Sequence, residues 1–149
     1  MKNVIIADDH PFMLKGIATY VEQLGYQLLK SRDNGITALN LIQAYQPTIA
    51  VLDINMPNLN GLEAVQKMNE SKLPTRAILL TLHKDIGVYK KALADGVYGY
   101  LLKDYVEDES ANCLQAVSEG KRYTSASLLN DLEYHYKGKS DGLGQLTIC

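Results

Sequence analysis

Short apolar runs that alternate with helical patterns are the feature that most constrains the fold of this chain. The four continuous runs are Val4–Ala7, Ile49–Leu52, Ala77–Leu80 and Val97–Leu102. Runs without polar alternation are typical of strands that are covered on both faces, as in parallel sheets flanked by helices. A weaker strand, Gln27–Lys30, is predicted at the sheet edge.

The stretches between and after these runs have apolar residues at helical spacing. They are Leu14/Ile17/Val21, Ile36/Leu39/Ile42, Leu62/Val65/Met68, Ile86/Tyr89/Leu93 and Ala111/Leu114/Val117. The prolines, at 11, 47, 57 and 74, all lie between periodic segments, which supports the segmentation. Five strand–helix repeats with short loops predict an α/β fold, the flavodoxin-like doubly wound (βα)5 arrangement. Its five-stranded parallel sheet has the order 2-1-3-4-5, with helices on both faces.

Length and charge limit the possible classes of protein. A chain of 149 residues with 46% hydrophobic content has room for one well-filled domain. We assign residues 1–120 to this domain and residues 121–149 to a C-terminal linker, with a helix over about 125–137 followed by a flexible connector. The net charge is −2 and no Lys/Arg run occurs, which argues against nucleic-acid or membrane binding by this part of the chain.

Cysteine usage and hydropathy indicate the cellular compartment. Cys113 and Cys149 lie far apart in the sequence, which is typical of free thiols in a reducing cytoplasm. No apolar stretch reaches transmembrane length, and the first apolar run is too short for a signal-peptide core. We therefore expect a cytoplasmic protein without a membrane partner.

Polar residues follow four of the predicted strands, at the point where each strand ends. They are Asp8 and Asp9, Asp53, Thr81 and Lys103. Because the carboxyl ends of parallel strands meet at one edge of the sheet, we expect these side chains to lie together. Three adjacent carboxylates repel each other unless a cation is present, and oxygen ligands are those that Mg²⁺ prefers. The sequence therefore predicts a site for Mg²⁺, or Mn²⁺.

The remaining groups at this edge suit phosphoryl transfer. A hydroxyl from Thr81 and an ammonium from Lys103 can neutralise the oxygens of a phosphoryl group, which leaves Asp53 as the nucleophile. His10 and His83 are not expected to be ligands, because Mg²⁺ takes oxygen.

These residues resemble a known signature. Asp8-Asp9, Asp53, Met56-Pro57 with Gly61, Thr81 and Tyr100-Leu101-Leu102-Lys103 are similar to the motifs of receiver domains in bacterial two-component response regulators. The resemblance covers residues 1 to about 120. Asp8-Asp9-His10-Pro11 and the run from Tyr100 to Asp104 further resemble the subclass that precedes a LuxR/NarL-type helix-turn-helix domain. Many other receivers have proline where this chain has Asp104.

The resemblance implies a role for each site residue. Asp53 would accept a phosphoryl group from a phosphohistidine on a sensor histidine kinase or phosphotransfer protein. Asp8, Asp9, Asp53 and the backbone carbonyl of Asn55 would hold the metal. Thr81 and Lys103 would contact the phosphoryl oxygens.

The resemblance also implies how the signal is passed on. Tyr100 would turn inward after a shift of Thr81, and Asn55 and His83 would tune the hydrolysis of the acyl phosphate. Such a domain is not an enzyme acting on external substrates; it catalyses only its own phosphorylation and dephosphorylation. Phosphorylation would produce a homodimer, through either helix four and helix five or helix one and helix five.

Transcription would be regulated through a DNA-binding domain that is absent from this chain. Two alternatives stay open. The first is a stand-alone receiver that acts only by protein contacts. The second is a Mg²⁺-dependent phosphatase with an aspartyl-phosphate intermediate, which Asn55 disfavours because those enzymes usually carry an acid two residues after the nucleophile.

Overall fold

A computed structural model describes residues 2–130, with the side chains of residues 30–32 left undescribed. The strands are β1 (Asn3–Ala7), β2 (Gln27–Arg32), β3 (Ile49–Asp53), β4 (Arg76–Thr81), β5 (Gly99–Leu102) and β6 (Tyr123–Thr124). The helices are α1 (Pro11–Gln23), α2 (Gly35–Tyr45), α3 (Gly61–Glu70), α4 (Ile86–Ala94) and α5 (Val106–Ser118). A single 3₁₀ turn, Lys103–Tyr105, joins β5 to α5.

The strands form one parallel sheet in the order β2-β1-β3-β4-β5-β6. The predicted parallel α/β fold is confirmed, and β2 lies at the sheet edge as expected. The predicted number of strands was wrong, because a sixth strand pairs with β5 through Gly99↔Tyr123 and Tyr100↔Thr124. A strand of two residues has no apolar periodicity, so the sequence pattern could not reveal it.

Each face of the sheet has its own apolar core, since successive strand residues point to opposite sides. In β1, Val4 and Ile6 pack against residues of α1 and α5, whereas Ile5 and Ala7 pack against the other core, which contains residues of α2, α3 and α4. Burial on both faces explains why the strands have continuous apolar sequences.

Two predicted boundaries differ from those observed. β5 begins at Gly99 rather than Val97, because the Val97 N–H donates to the Ala92 carbonyl at 3.1 Å and thereby closes the end of α4. Of the helix predicted over about 125–137, residues 126–130 are helical, and the remainder lies outside the described residues. Cys113 is a free, fully buried thiol on α5, while Cys149 also lies outside the described residues.

Candidate functional site

The polar residues predicted at the strand ends lie at the carboxyl edge of the sheet. β1 ends at Ala7, just before Asp8, and pairs directly with β3, which ends at Asp53. On the other side of β3, Asp53 pairs in register with Leu80, so Thr81 stands one residue further along β4. The parallel topology therefore brings these ends together from segments distant in sequence.

The three predicted carboxylates form one cluster. Ligand atoms of Asp8, Asp9, His10 and Asp53 all lie within 4.8 Å of one another. Asp8 is fully buried and Asp53 is 1% exposed, whereas the Asp9 side chain is partly exposed. Because two of the three acids have lost most of their hydration, a nearby positive charge is needed to stabilise them.

Lys103 supplies one such charge from the start of the 3₁₀ turn. Its buried Nζ lies 2.9 Å from Asp53 Oδ2 and 3.0 Å from Asp8 Oδ2. The first contact is a hydrogen bond, while Asp8 Oδ2 accepts none within residues 2–130, so the second contact is an ion pair without hydrogen-bond geometry. One ammonium among three carboxylates leaves an excess of negative charge and a buried oxygen with remaining acceptor capacity.

The pKa of the Asp53 carboxyl is raised above its ordinary value. Burial is the main cause, and the neighbouring Asp8 carboxylate raises it further. The hydrogen bond from Lys103 and the backbone N–H of Asn55 act in the opposite direction without cancelling the rise. Ionised Asp53 is thus stabilised less than it would be in water, and a divalent cation would offset that cost.

The loop after β3 is shaped around Asp53. The Asn55 N–H donates to Asp53 Oδ1 at 3.1 Å. A Cβ atom on Gly61 would lie 2.6 Å from the Asp53 carbonyl oxygen, which leaves no room for any other residue at that position. α3 then begins at once, because Asn60 and Glu63 form a reciprocal capping box. The loop therefore returns tightly past the acid that it follows.

Thr81 is buried at the end of β4, and its Oγ1 accepts a hydrogen bond from the His83 N–H at 3.1 Å. This contact orients the hydroxyl toward the loop that leads into α4. The side chain of His83 is exposed and is not among the grouped ligand atoms found within the described residues.

His10, which was not expected to be a ligand, lies close to the acids and belongs to the group of possible ligand atoms. Its Nδ1 is 2.9 Å from Asp8 Oδ1, 3.2 Å from Asp9 Oδ1 and 3.5 Å from Asp53 Oδ2. The same nitrogen is 3.0 Å from Lys103 Nζ. The signal that could have indicated this was the position of His10 directly after the two acids, within the turn that leads into α1.

Tyr100 points into the protein and is 1% exposed. Its ring packs edge-on against Tyr89, with 5.0 Å between centroids and 79° between planes. The hydroxyl has no hydrogen-bond partner among the described residues. Burial, with smaller contributions from Asp85 and Tyr89, raises the pKa of Tyr100 to about 12. The ring therefore occupies the inward position, and the predicted inward turn stays a prediction because it requires a second position.

The cluster fits a hard divalent cation. Its donors include carboxylate oxygens from three acids, of which Asp8 Oδ2 is buried and accepts no hydrogen bond within the described chain. Mg²⁺ is bound by carboxylates together with water, and the partial exposure of Asp9 leaves access for water. Asp8, Asp9 and Asp53 are thus the residues that could hold the ion.

Comparison with known proteins identifies one matching family model. The model described as "Response regulator receiver domain" matches residues 4–115.

Several curated relatives are similar over most of the chain. It is 31% identical over 130 residues to "Probable transcriptional regulatory protein NarL" of Mycobacterium tuberculosis, covering 87% of this chain and 60% of the relative. It is 30% identical over 138 residues to the transcription regulator BvgA of Bordetella pertussis, covering 93% of this chain and 66% of the relative. The chain therefore spans about three-fifths to two-thirds of the length of these relatives.

Solved structures of the same kind superpose on this fold. The signal receiver domain of the response regulator NarL from Mycobacterium tuberculosis has a TM-score of 0.77 at 30% identity, covering 80% of this chain and 98% of that one. A DNA-binding response regulator of the LuxR family from Staphylococcus aureus has a TM-score of 0.76 at 29% identity, covering 79% of this chain and 99% of that one. The similarity thus extends from the sequence motifs to the whole receiver fold.

Proposed function

This chain belongs to the response regulator receiver domain family, and we propose that it is a receiver of the LuxR/NarL type in which Asp53 accepts a phosphoryl group. The observation that carries this proposal is the set of charged side chains around the Asp53 carboxylate. Asp8 and Asp9 lie near it, and the Lys103 ammonium is 2.9 Å from Asp53 Oδ2.

The proposed reaction is the transfer of a phosphoryl group from a phosphohistidine on a sensor histidine kinase or a phosphotransfer protein. A carboxylate oxygen of Asp53 forms a bond to phosphorus while the phosphorus–nitrogen bond of the donor breaks. The products are an acyl phosphate on Asp53 and a free histidine on the donor. Phosphoryl transfer needs alignment and neutralisation of charge more than covalent machinery, and this set of side chains supplies both.

Asp8, Asp9, Asp53 and the carbonyl of Asn55 would hold Mg²⁺ or Mn²⁺ in this reaction. The ion, when bound, would neutralise charge on the phosphoryl oxygens. Lys103 would neutralise further charge on these oxygens, and the buried Thr81 hydroxyl would donate to one of them in place of its long contact with the His83 carbonyl, at 3.5 Å. Asn55 and His83 would affect the rate at which water attacks the acyl phosphate.

The consequence of phosphorylation would be a change at the face built by α4, β5 and α5. The phosphoryl group adds about −1.5 to −2 charges and three acceptor oxygens. Movement of Thr81 toward those oxygens would favour the inward position of Tyr100, which lies on β5. Such a population shift alters a protein surface rather than releasing a product.

The same proposal extends to the partners of the full-length protein. Dimerisation on phosphorylation and regulation of transcription through a DNA-binding domain beyond the receiver are the outputs we propose. The receiver domain is proposed to end near residue 120, with a linker following. From its membership of the receiver family we propose a cytoplasmic location. Within residues 2–130, none of the helices has the length and hydropathy that spanning a bilayer requires.

The direct test is to incubate the protein with acetyl phosphate and Mg²⁺ and to measure its intact mass. We expect the mass to increase by one phosphoryl group in the wild type and to stay unchanged in Asp53→Asn. Omission of Mg²⁺, or Asp9→Asn, should slow the modification at least tenfold, because a charge-neutralising cation is removed from the transfer.

The matched control is Asp33→Asn, since Asp33 is an exposed acid in the loop after β2. It should be modified at the wild-type rate. Modification that persists in Asp53→Asn would place the acceptor elsewhere and overturn the proposal. Continuous multiple-turnover hydrolysis of an aryl phosphate would instead favour the phosphatase alternative.

A further inference from the structure

The segment after α5, residues 121–130, packs onto the receiver fold; we refer to these residues as the docked segment. Tyr123 and Thr124 form β6 along the outer edge of β5. Tyr123 N–H donates to the Tyr98 carbonyl at 2.8 Å, and Ser125 N–H donates to the Tyr100 carbonyl at 2.9 Å. The docked segment thus lies directly on the strand that carries Tyr100.

Ser125 makes a second, less regular contact with β5. Its buried Oγ accepts a hydrogen bond from the Leu102 N–H at 2.8 Å. Leu102 immediately precedes Lys103, which contacts Asp53. Through its amide and its hydroxyl, Ser125 therefore fixes the backbone on both sides of Leu101, between Tyr100 and the ammonium-bearing residue.

Side chains of the docked segment also contact the interior around Tyr100. Thr124 Oγ1 lies 3.0 Å from the hydroxyl of Tyr89, the residue whose ring packs against Tyr100. Leu128 is fully buried in the same apolar core as Tyr89 and Tyr100. An outward Tyr100 would leave a space in this core and weaken the packing that buries Leu128.

A further contact anchors the docked segment to α5. Glu109 Oε1 accepts hydrogen bonds from the Tyr123 hydroxyl at 2.7 Å and from the Ala126 N–H at 3.1 Å. The segment is therefore held at three places, by the edge of β5, by the core around Tyr100 and by α5.

We propose that the docked segment is part of the phosphorylation switch, with Ser125 as a positioning residue for Tyr100 and Lys103. The inward position of Tyr100 and the docking of residues 121–130 stabilise each other. Phosphorylation of Asp53 favours the inward position of Tyr100 and therefore also favours docking. The phosphorylation state of Asp53 is thus transmitted to residues 121–130, at the C-terminal end of the domain. This inference rests on the proposed function.

Reciprocity gives the proposal a quantitative consequence. If a phosphoryl group at Asp53 strengthens docking, then docking must strengthen binding at Asp53 by the same factor. Weakening the docked segment should therefore lower the affinity of the site for a phosphoryl mimic, although residues 121–130 include none of the acids in the cluster.

The first experiment measures amide hydrogen exchange of the full 149-residue chain with Mg²⁺, with and without beryllofluoride. We expect exchange of the amides of Tyr123, Ser125 and Ala126, which are hydrogen-bonded in the docked state, to slow about fivefold with beryllofluoride. This is near the lower end of couplings between sites. Exchange of the Tyr26 amide, which bonds to Val21 at the opposite side of the sheet, should not change.

The second experiment measures beryllofluoride affinity by ¹⁹F NMR, since the chain has no tryptophan for fluorescence. Ser125→Ala should weaken binding about fivefold, and Thr124→Val should weaken it in the same direction. Ser127→Ala is the matched control, because Ser127 is a partly exposed serine on the same segment, and it should bind as the wild type does. Thermal melting establishes that each variant is folded, and Thr124→Val replaces Ser125→Ala if the latter does not fold.

The outcomes separate the two proposals. If the wild type binds no beryllofluoride, the proposed function fails. If it binds, but the docked segment exchanges at the same rate or faster and both variants retain wild-type affinity, the coupling is overturned while the proposed function stands.

Discussion

The two ends of the parallel sheet carry side chains of opposite charge. Acids cluster at the carboxyl end, and basic side chains lie at the amino end. At the carboxyl end, Asp8, Asp9 and Asp53 lie together, the Lys103 ammonium contacts Asp8 and Asp53, and negative charge is in excess. At the amino end, basic side chains donate hydrogen bonds to backbone carbonyls. The acidic carboxyl end therefore favours binding of a further cation. At the amino end, the basic side chains already have acceptors for their hydrogen bonds.

Arg76, at the start of β4, organises the amino end. Its Nη1 donates to the carbonyls of Val117 and Ser118 at 3.1 and 3.3 Å, and its guanidinium lies 5.5 Å from the ring centroid of Tyr98. Lys2 Nζ also donates to the Ser118 carbonyl. Positive side chains at the C-terminus of α5 satisfy its free carbonyls and interact favourably with its dipole. The basic side chains at the amino end thus stabilise the fold, whereas the acids at the carboxyl end are available for chemistry.

Removing Lys103 should have the largest effect on stability. In Lys103→Met the buried Asp8 and Asp53 lose their shared ammonium, and we expect the free energy of unfolding of the metal-free protein to fall by about 3–5 kcal/mol near neutral pH. Loss of the ammonium raises the pKa of Asp53 further, so the lost stability should be regained as the pH is lowered and the acids are protonated. Urea denaturation at several pH values measures both effects.

The matched control for this change is Lys121→Met. Lys121 pairs with Glu119 at 3.5 Å, but its side chain is 73% exposed, so its removal should cost little. Equal losses in the two variants, or a loss in Lys103→Met that does not depend on pH, would show that the carboxyl end is not under electrostatic strain.

Removing Arg76 at the opposite end should cost less and should not depend on the acids. Arg76→Ala loses two charge-assisted hydrogen bonds and one ring contact, and we expect a loss of about 2–3 kcal/mol. Beryllofluoride binding should be unchanged in folded Arg76→Ala. Arg122→Ala, which removes only the second cation on the Tyr98 ring at 5.5 Å, should cost about 0.5–1 kcal/mol. A reduced affinity for beryllofluoride in Arg76→Ala would contradict the separation of the two ends.

The sequence predicted the carboxyl end far better than the amino end, for a physical reason. Asp8, Asp53 and Lys103 each end a continuous apolar strand, and parallel topology alone is enough to bring strand ends together. The partners of Arg76 are carbonyls 41 and 42 residues away, which no local pattern indicates.

β6 could not be predicted for a related reason. Its two residues pair because the edge of β5 offers free backbone groups, and that edge exists only in the folded sheet. The direction of the His10 ring was missed as well, since backbone periodicity does not determine rotamers.

Neutralising Asp53 should have a smaller effect, and of the opposite sign. Because the pKa of Asp53 is raised in the folded protein, its ionisation lowers stability as the pH rises through that pKa. Asp53→Asn should therefore raise the free energy of unfolding of the metal-free protein near neutral pH, and its melting temperature with it. The gain should disappear below the ordinary carboxyl pKa of 3.8. A lower melting temperature in Asp53→Asn at neutral pH would mean that its contact with Lys103 outweighs the cost of burial.

The smallest effect is expected between the two ends, at the hydroxyl of Tyr100. A buried hydroxyl that forms a hydrogen bond typically contributes about 1 kcal/mol, but that of Tyr100 has no partner in the described part of the chain. Tyr100→Phe should therefore change the free energy of unfolding by less than about 0.5 kcal/mol. Tyr89→Phe loses the contact with Thr124 and should cost about 1 kcal/mol, which makes it the matched comparison. If Tyr100→Phe is the more destabilising of the two, the hydroxyl has a partner, such as an ordered water, and the inward position is held by that partner rather than by packing against Tyr89 alone.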